Sequence, residues 1–177
     1  ILQVISGSPT DVQPVFDTIA KAAQKLCRAS LANVFTFDGD LIHLAAVANV
    51  NRDPPYFAAI HGAFPRLPAR DTAVGRAVLS RSIVAIPDVE VDREYGIGTQ
   101  TLGGGFRSIL AVPLMHDESA IGAIIVGRSE SGVFPDTQIA LLRTFADQAV
   151  IAIENVRLFT ELDARTTELT QSVGELR

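Results

Sequence analysis

Two apolar segments that lie close together in the sequence restrict the fold more than any other feature. They are residues 108–115 (SILAVPLM) and 120–127 (AIGAIIVG), and Glu118 and Ser119 supply a polar turn between them. Both segments have the length of strands, so together they predict a β-hairpin. Their residues are apolar at successive positions, and strands of this kind lie in sheets that are covered on both faces. The chain is therefore expected to form a sheet with a further layer on each side.

Hydrophobic periodicity predicts the elements around this hairpin. Apolar residues recur at helical spacing over residues 11–28, and a helical pattern returns at Asp136 and runs without Gly or Pro until Gly174. The other predicted elements are strands at 32–37 and 41–48 around an Asp38-Gly39-Asp40 turn, a short helix within 53–68, a helix at 72–80, a strand at 83–87 and an irregular stretch at 88–105. This order predicts an α+β domain with a mainly antiparallel sheet, the terminal helices on one face and the inserted segments on the other.

Composition excludes several classes of protein. A chain of 177 residues with 47% hydrophobic residues fits one globular domain. Its net charge of −5, without a basic cluster or a Trp, gives no sign of nucleic-acid binding. The apolar runs are too short to span a bilayer, so we expect no membrane partner. The single cysteine, Cys27, excludes an intramolecular disulfide and fits a reducing cytosol, which predicts a cytoplasmic protein.

Five glycines lie between Gly96 and Gly105, and two of them, Gly98 and Gly103, have the G-x-x-x-x-G spacing of a phosphate-binding loop. Gly104 and Gly105 stand where that motif needs Lys and Ser or Thr. The run also leads into a strand, whereas a phosphate loop leads into a helix whose N-terminal amides hold the phosphate. A hinge, or a lid over a pocket, is therefore the favoured interpretation.

Several segments together resemble the GAF domains of bacterial multidomain sensor proteins, most of all those of sensor histidine kinases. They are residues 107–127 (RSILAVPLMHDESAIGAIIVG), 134–142 (FPDTQIALL), 145–159 (FADQAVIAIENVRLF), 72–89 (TAVGRAVLSRSIVAIPDV) and the opening 6–29. The similarity covers about residues 11–159. It implies a sheet of about six strands with a pocket on one face and a helical dimer on the other.

The resemblance also implies a division of the chain. Residues 1–10 would lead in from a preceding segment, residues 11–158 would form the sensor domain, and residues 159–177 would form a coiled-coil-like helix leading to a covalently linked output domain.

The kinds of ligand known for this family leave signatures that the chain does not carry. The Asn-Lys pair of the cyclic-nucleotide-binding members is missing, although Phe134 is kept. Covalent attachment of a bilin needs a pocket cysteine, but Cys27 lies on the apolar stripe of the first helix. His43, His61 and His116 lack the spacing of metal ligands, and only His61, in an inserted segment, stays a candidate. No cofactor and no metal are predicted.

Candidate pocket residues come from the face that the inserted segments cover. Alternation along the first strand places Phe35 and Phe37 on one side. Three further candidates lie in the insertions and two flank the irregular segment as a charge pair that could orient a polar ligand. These are Phe57, His61 and Tyr95, and then Asp88 and Arg107.

No catalytic constellation is recognisable. The G-x-S-x-G motif is absent, and Ser80, Ser82 and Ser108 have no recognisable base nearby. The alternating acidic run from Asp88 to Glu94 is interpreted as a solvated loop, with cation binding as the alternative. The chain itself is therefore not expected to be an enzyme, and catalysis is assigned to a neighbouring domain, most simply that of a histidine kinase.

The last helix predicts how a signal leaves the domain. Apolar residues three and four apart form a first seam that ends with Ile153 and Val156, and a second seam follows. The second seam contains Phe159, Leu162, Leu169, Val173 and Leu176. The step of three residues between Val156 and Phe159 is a stammer, which moves the seam to a new face. The second seam predicts a partner, most simply the same helix of a second copy in a homodimer.

Two functions remain open at this stage. The pocket either binds an unidentified small molecule that shifts the packing of the exit helices, or it is filled by side chains, in which case the domain is a spacer that mediates dimerisation.

Overall fold

The computed structural model describes residues 12–49, 54–96 and 105–175, and these form four helices and five strands. The helices are α1 (Gln13–Cys27), α2 (Pro54–Ala63), α3 (Ala73–Ser80) and α4 (Asp136–Glu175). The strands are β1 (Leu31–Phe37), β2 (Ile42–Asn49), β3 (Val84–Ile86), β4 (Ser108–His116) and β5 (Ser119–Arg128). The predicted α+β class is confirmed.

The strands form one antiparallel sheet in the order β2-β1-β5-β4-β3. The predicted hairpin is β4 and β5, which pair from Ser108 opposite Arg128 to His116 opposite Ser119. Among the described residues the sheet has five strands, the number that the periodicity gives, rather than the six that the resemblance implies.

Alternation along the central strands divides the core into two layers. On β4, Leu110, Val112 and Leu114 face one cluster of buried side chains, whereas Ile109 and Ala111 face the other. Both clusters are apolar because neither face of the central strands meets water. The expectation of a sheet covered on both faces is confirmed.

The terminal helices α1 and α4 cover one face of the sheet. Pro14 lies in the first turn of α1, where its missing N–H costs no helical hydrogen bond. At the other end Arg28, with φ of 48°, ends the helix in the left-handed conformation. Cys27 is buried in this layer, and burial raises the pKa of its thiol to about 11. It is a packed thiol, as its place on the apolar stripe predicts.

The inserted helices α2 and α3 cover the opposite face. Thr72 caps α3 by accepting a hydrogen bond from the Gly75 amide at 3.0 Å. The first turn of α3 lies so close to the preceding chain that a Cβ on Gly75 would come within 1.9 Å of the Ala69 carbonyl oxygen. The helix can pack in this position because residue 75 has no side chain.

Helix α4 has 40 residues and a length of about 60 Å. Its first half packs against the sheet through buried side chains, among them Leu142, Ala146 and Ala149, and the last of them is Val156. Every described residue after Val156 is exposed. The helix continues without a break across the predicted domain boundary at residue 158.

Candidate functional site

A cavity of about 40 Å³ lies between the sheet and the inserted helices. Its wall combines side chains from β1, β4 and β5 with side chains from α2, α3 and the segments around them. The wall residues are Leu31, Asn33, Phe35, Tyr56, Ile60, Phe64, Thr72, Ala73, Val74, Tyr95, Phe106, Ile109 and Ile125. Most of the wall is apolar, and the rings of Phe35 and Phe64 pack at a tilt with centroids 4.7 Å apart.

The polar centre of the cavity is a pair formed by Asn33 and Tyr56. Asn33 lies between Leu31 and Phe35 on the same face of β1, so its amide points to the cavity side of the sheet. Its Nδ2 donates a hydrogen bond of 2.7 Å to the Tyr56 hydroxyl. The Oδ1 of Asn33 is buried and has no hydrogen-bond partner among the residues that the structure describes. A buried acceptor without a partner costs about 1–3 kcal/mol, so this atom is a natural place for a ligand or water donor.

The two tyrosines of the wall stay protonated at neutral pH. Burial raises the pKa of Tyr56 to about 12, although the hydrogen bond with Asn33 acts in the opposite direction. Burial, and secondly the neighbouring Tyr56, raise the pKa of Tyr95 well above its ordinary range. Both side chains therefore present neutral hydroxyl groups.

Arginines hold the segment that carries Tyr95. The guanidinium of Arg76 donates two hydrogen bonds to Asp92, at 2.8 and 2.7 Å, and Arg70 donates two to Glu94, at 3.1 and 2.6 Å. The hydrogen bonds from Arg76 lower the pKa of Asp92 to about 2. Asp92 departs from the interpretation of the acidic run as a solvated loop, because it is partly buried and bound by an arginine 16 residues away. Glu94 agrees with that interpretation, because it is exposed and meets Arg70 at the surface.

The predicted pocket residues lie in three places. Phe35 and Tyr95 line the cavity, and Phe37 is half-buried at the edge of the same apolar layer. Phe57 and His61 line a separate groove between α2, β2 and the start of α1.

Asp88 and Arg107 form the expected charge pair, but outside the cavity wall. Arg107 binds both carboxylate oxygens of Asp88, and its Nη2 lies 3.5 Å from Glu90. The pair joins the segment after β3 to the start of β4. Residues 97–104, which hold most of the predicted glycine lid, lie outside the described residues.

The remaining histidines take part in surface contacts. Nε2 of His43 lies 2.8 Å from Asp38, and His116 is exposed beside Asp117. Within the described ranges no group of three or more His, Cys, Asp or Glu side chains converges on a possible metal site. Phe134 is buried, and the Arg128 guanidinium lies 4.0 Å from its ring centroid, so its role is in packing.

A family model described as the GAF domain matches residues 9–154. The chain belongs to the GAF domain family. The members of this family are sensory and ligand-binding modules, and the cavity of this GAF domain lies on the face of the sheet where the resemblance placed a pocket.

Solved structures share the fold at low sequence identity. A GAF domain/HD domain protein from Geobacter sulfurreducens is 20% identical with a TM-score of 0.69, and the match covers 87% of this chain and 98% of that one. A domain of a two-component sensor histidine kinase protein from Sinorhizobium meliloti is 19% identical with a TM-score of 0.64, covering 88% and 97%. The type II free methionine-R-sulfoxide reductase from Thermoplasma acidophilum is 18% identical with a TM-score of 0.63, covering 81% and 95%. No curated protein matches the sequence.

The predicted signalling residues of α4 are buried or half-buried up to Val156 and exposed beyond it. Ile153 is half-buried and Val156 is fully buried against the sheet layer. The following apolar side chains are more than half exposed, namely Phe159, Leu162, Leu169 and Val173. Leu176 lies outside the described residues. None of the helices that the structure describes is long and apolar enough to cross a membrane.

Neither Asn33 nor Tyr56 is among the pocket residues predicted from the sequence. Asn33 could have been found, because it is a polar residue at an apolar position of the alternation in β1. Tyr56 could not, because the segment PPYFAAIHGA of α2 has apolar residues around most of the helix and does not show which face turns inward.

Proposed function

We propose that this GAF domain is the sensory part of a multidomain signalling protein, in which a small molecule in the cavity alters the packing of α4 and so the activity of a linked output domain. The observation that carries the proposal is the division of α4 at Val156. One continuous helix is packed on the sheet up to this residue and exposes apolar side chains beyond it. Such a helix can carry a displacement from the domain to whatever follows.

The sheet connects the cavity with α4. On β4, Ile109 forms part of the cavity wall, while its neighbours Leu110 and Val112 lie in the layer that contains α1 and α4. A shift of this strand therefore acts on both layers, because side chains in a close-packed interior have no free space to absorb it.

The exposed part of α4 supports a homodimer. Leu162 and Leu169 lie one heptad apart and are 63% and 67% exposed, on a stretch where Arg165 pairs with Glu161 within the same helix. Full burial of a leucine contributes roughly 1.5–3 kcal/mol, so a few such residues from each chain can hold two helices together. A second copy of α4 offers a complementary stripe by symmetry.

The function as a ligand-free spacer that mediates dimerisation remains the second candidate. The small cavity volume favours it, because about 40 Å³ holds no more than a few water molecules unless the wall moves.

We further propose that the domain does not catalyse a reaction and that it works in the cytoplasm as part of a larger protein such as a histidine kinase. The described part of the cavity wall contains no carboxylate, histidine or cysteine that could act as a base or nucleophile. The name of the similar domain from Sinorhizobium meliloti motivates the choice of parent protein.

Two substitutions in the exposed stripe test the proposal. Leu162→Ala and Leu169→Ala should each weaken the dimer about tenfold or more, since burial of the leucine is lost, while circular dichroism shows an unchanged sheet domain. Analytical ultracentrifugation gives the dimer constants, and Glu168→Ala, next to Leu169 but outside the stripe, is the control. Wild-type dimer constants in both leucine variants would contradict signalling through this helix.

Native mass spectrometry of the protein as purified separates the two candidate functions. A small molecule that stays bound to the folded protein and is released when the protein unfolds supports sensing. An intact dimer without one, which also binds nothing from a metabolite mixture, supports the spacer.

A further inference from the structure

The Asn33 side chain is the feature of the cavity that ordinary packing does not explain. It is 3% exposed, yet only one of its two polar atoms has a partner among the described residues. Its neighbours along the same face of β1, Leu31 and Phe35, are apolar. A leucine at position 33 would fill such a place without the desolvation cost of an amide, so the amide points to a role beyond packing.

The charge of the wall restricts what can bind beside Asn33. Among the described wall residues none carries a charge, and the nearby guanidinium of Arg76 is bound to Asp92 at 2.7 Å. An ionised ligand would lose its hydration without gaining a counter-charge. The burial that raises the pKa of Tyr56 would likewise disfavour the charged form of any ligand group, whether that group is an acid or an amine.

We infer that the ligand of this cavity is an uncharged molecule that carries a hydroxyl or N–H donor on an apolar, ring-sized body. The inference rests on the proposed sensing function. The donor binds Oδ1 of Asn33, and the body packs against the rings of Phe35 and Phe64. The charge pair of Asp88 and Arg107 takes no part in recognition, because it lies outside the cavity wall.

The size of the cavity links binding to a movement of its wall. An engineered protein cavity that binds benzene has about 150 Å³, several times the space present here. Tyr95 is the wall residue best placed to yield, since it lies on an irregular segment and is less buried than the other wall residues outside helices and strands, which are Phe64, Thr72 and Phe106. Its segment is held by the ion pairs of Asp92 and Glu94 and by a hydrogen bond of 3.0 Å from the Gly96 amide to the Asp71 carbonyl oxygen. The pair of Arg70 and Glu94 can yield first, because both of its side chains are more than half exposed, whereas Arg76 is buried.

Three probes of the same ring size test the ligand class on the whole chain, with affinities measured by ligand-observed NMR titration. Phenol carries a neutral donor, toluene lacks a donor, and benzoate is charged. Phenol should bind about fivefold or more tightly than toluene, the factor expected for one neutral hydrogen bond to a buried acceptor, and benzoate should not bind.

Two variants show whether Asn33 causes the tighter binding of phenol. Asn33→Leu should bring the affinity for phenol down to that for toluene, and Tyr56→Phe should keep phenol the tighter ligand because Asn33 is still present. Asn155→Leu, the same change at an exposed site on α4, should leave all three affinities unchanged. The comparison among probes on the wild-type chain stands even where a variant fails to fold.

Several results would overturn the inference. They are equal affinities for phenol and toluene, binding of benzoate in competition with phenol, an unchanged preference for phenol in folded Asn33→Leu, or no binding of any probe. Failure of the sensing function is recognised separately. A charged molecule retained from the cell in the cavity overturns the inference about ligand class and supports sensing, whereas an intact dimer that retains no molecule and binds nothing from a metabolite mixture overturns both.

Discussion

The side chains of Arg76 and Asp92 show how single residues fix the cavity wall. Arg76 is buried and donates a further hydrogen bond of 2.6 Å to the Arg70 carbonyl oxygen. Asp92 is bound by the Arg76 guanidinium and also accepts a hydrogen bond from the Tyr95 amide at 2.9 Å. The wall residue Tyr95 is thus positioned through a carboxylate whose charge depends on pH.

This arrangement predicts a loss of stability in acid. Because the pKa of Asp92 falls from its ordinary 3.8 to about 2 in the folded state, the ion pair stabilises the fold above pH 4 and loses this effect as the pH falls towards 2. At neutral pH the contribution is at most about 2 kcal/mol. Urea unfolding between pH 7 and pH 2.5 should give wild type a larger free energy of unfolding than Asp92→Asn at neutral pH. The difference between the two free energies should become smaller in acid.

The control for this prediction is Asp163→Asn, the same substitution on the exposed part of α4. The difference in free energy of unfolding between wild type and Asp163→Asn should not become smaller in acid. A difference between wild type and Asp92→Asn that stays constant over the whole pH range would mean that the ion pair does not stabilise the fold.

At the scale of single elements, two helical glycines have opposite surroundings. A Cβ on Gly75 in α3 would collide with the Ala69 backbone, whereas a Cβ on Gly62 in α2 would meet nothing within 4 Å. Gly75→Ala should therefore destabilise the domain by about 2 kcal/mol or more, since α3 has to move away from the chain. Gly62→Ala should stabilise it by up to about 1 kcal/mol through helix propensity.

Urea unfolding of the two glycine variants gives the comparison directly. If Gly75→Ala were as stable as wild type, α3 would not lie as close to Ala69 as described. The part of the cavity wall that α3 carries would then have a different position.

Sequence patterns predict these elements to different degrees. The continuous apolar runs of β4 and β5 show that both faces of these strands are shielded from water, and the helical spacing in α1 and α4 shows which face of each helix is buried, so these patterns predict the sheet, its two covered faces and the terminal helices. The place of a polar contact depends on distant partners instead. Asp92 meets Arg76 and Asn33 meets Tyr56 only because the chain folds back over 16 and 23 residues. Nothing in the local pattern of residues gives these pairings.

At the scale of the whole molecule, the chain combines a packed domain with an exposed helical extension. The core of the domain takes its last side chain from Val156, and the described residues from 157 to 175 add no buried side chain to it. The extension is stabilised along its surface by pairs within the helix, such as Arg157 with Glu154 at 3.0 Å. Contacts of this exposed kind contribute little, so the extension gains little stability from within the chain, and the partner helix proposed above would supply more.

A chain that ends at Leu158 should therefore keep the domain and lose the dimer. At concentrations where the full chain is monomeric, both chains should unfold with the same free energy, because the removed residues bury nothing in the domain. At high concentration only the full chain should gain in melting temperature, since association stabilises the folded state by mass action.

A shorter chain ending at Gln148 is the control, and it should be destabilised because it loses the buried Ala149, Val150, Ala152 and Val156. Calorimetry over a hundredfold range of concentration makes the measurement. A chain ending at Leu158 whose melting temperature still rises with concentration would place the dimer contact on the domain and not on the exposed half of α4.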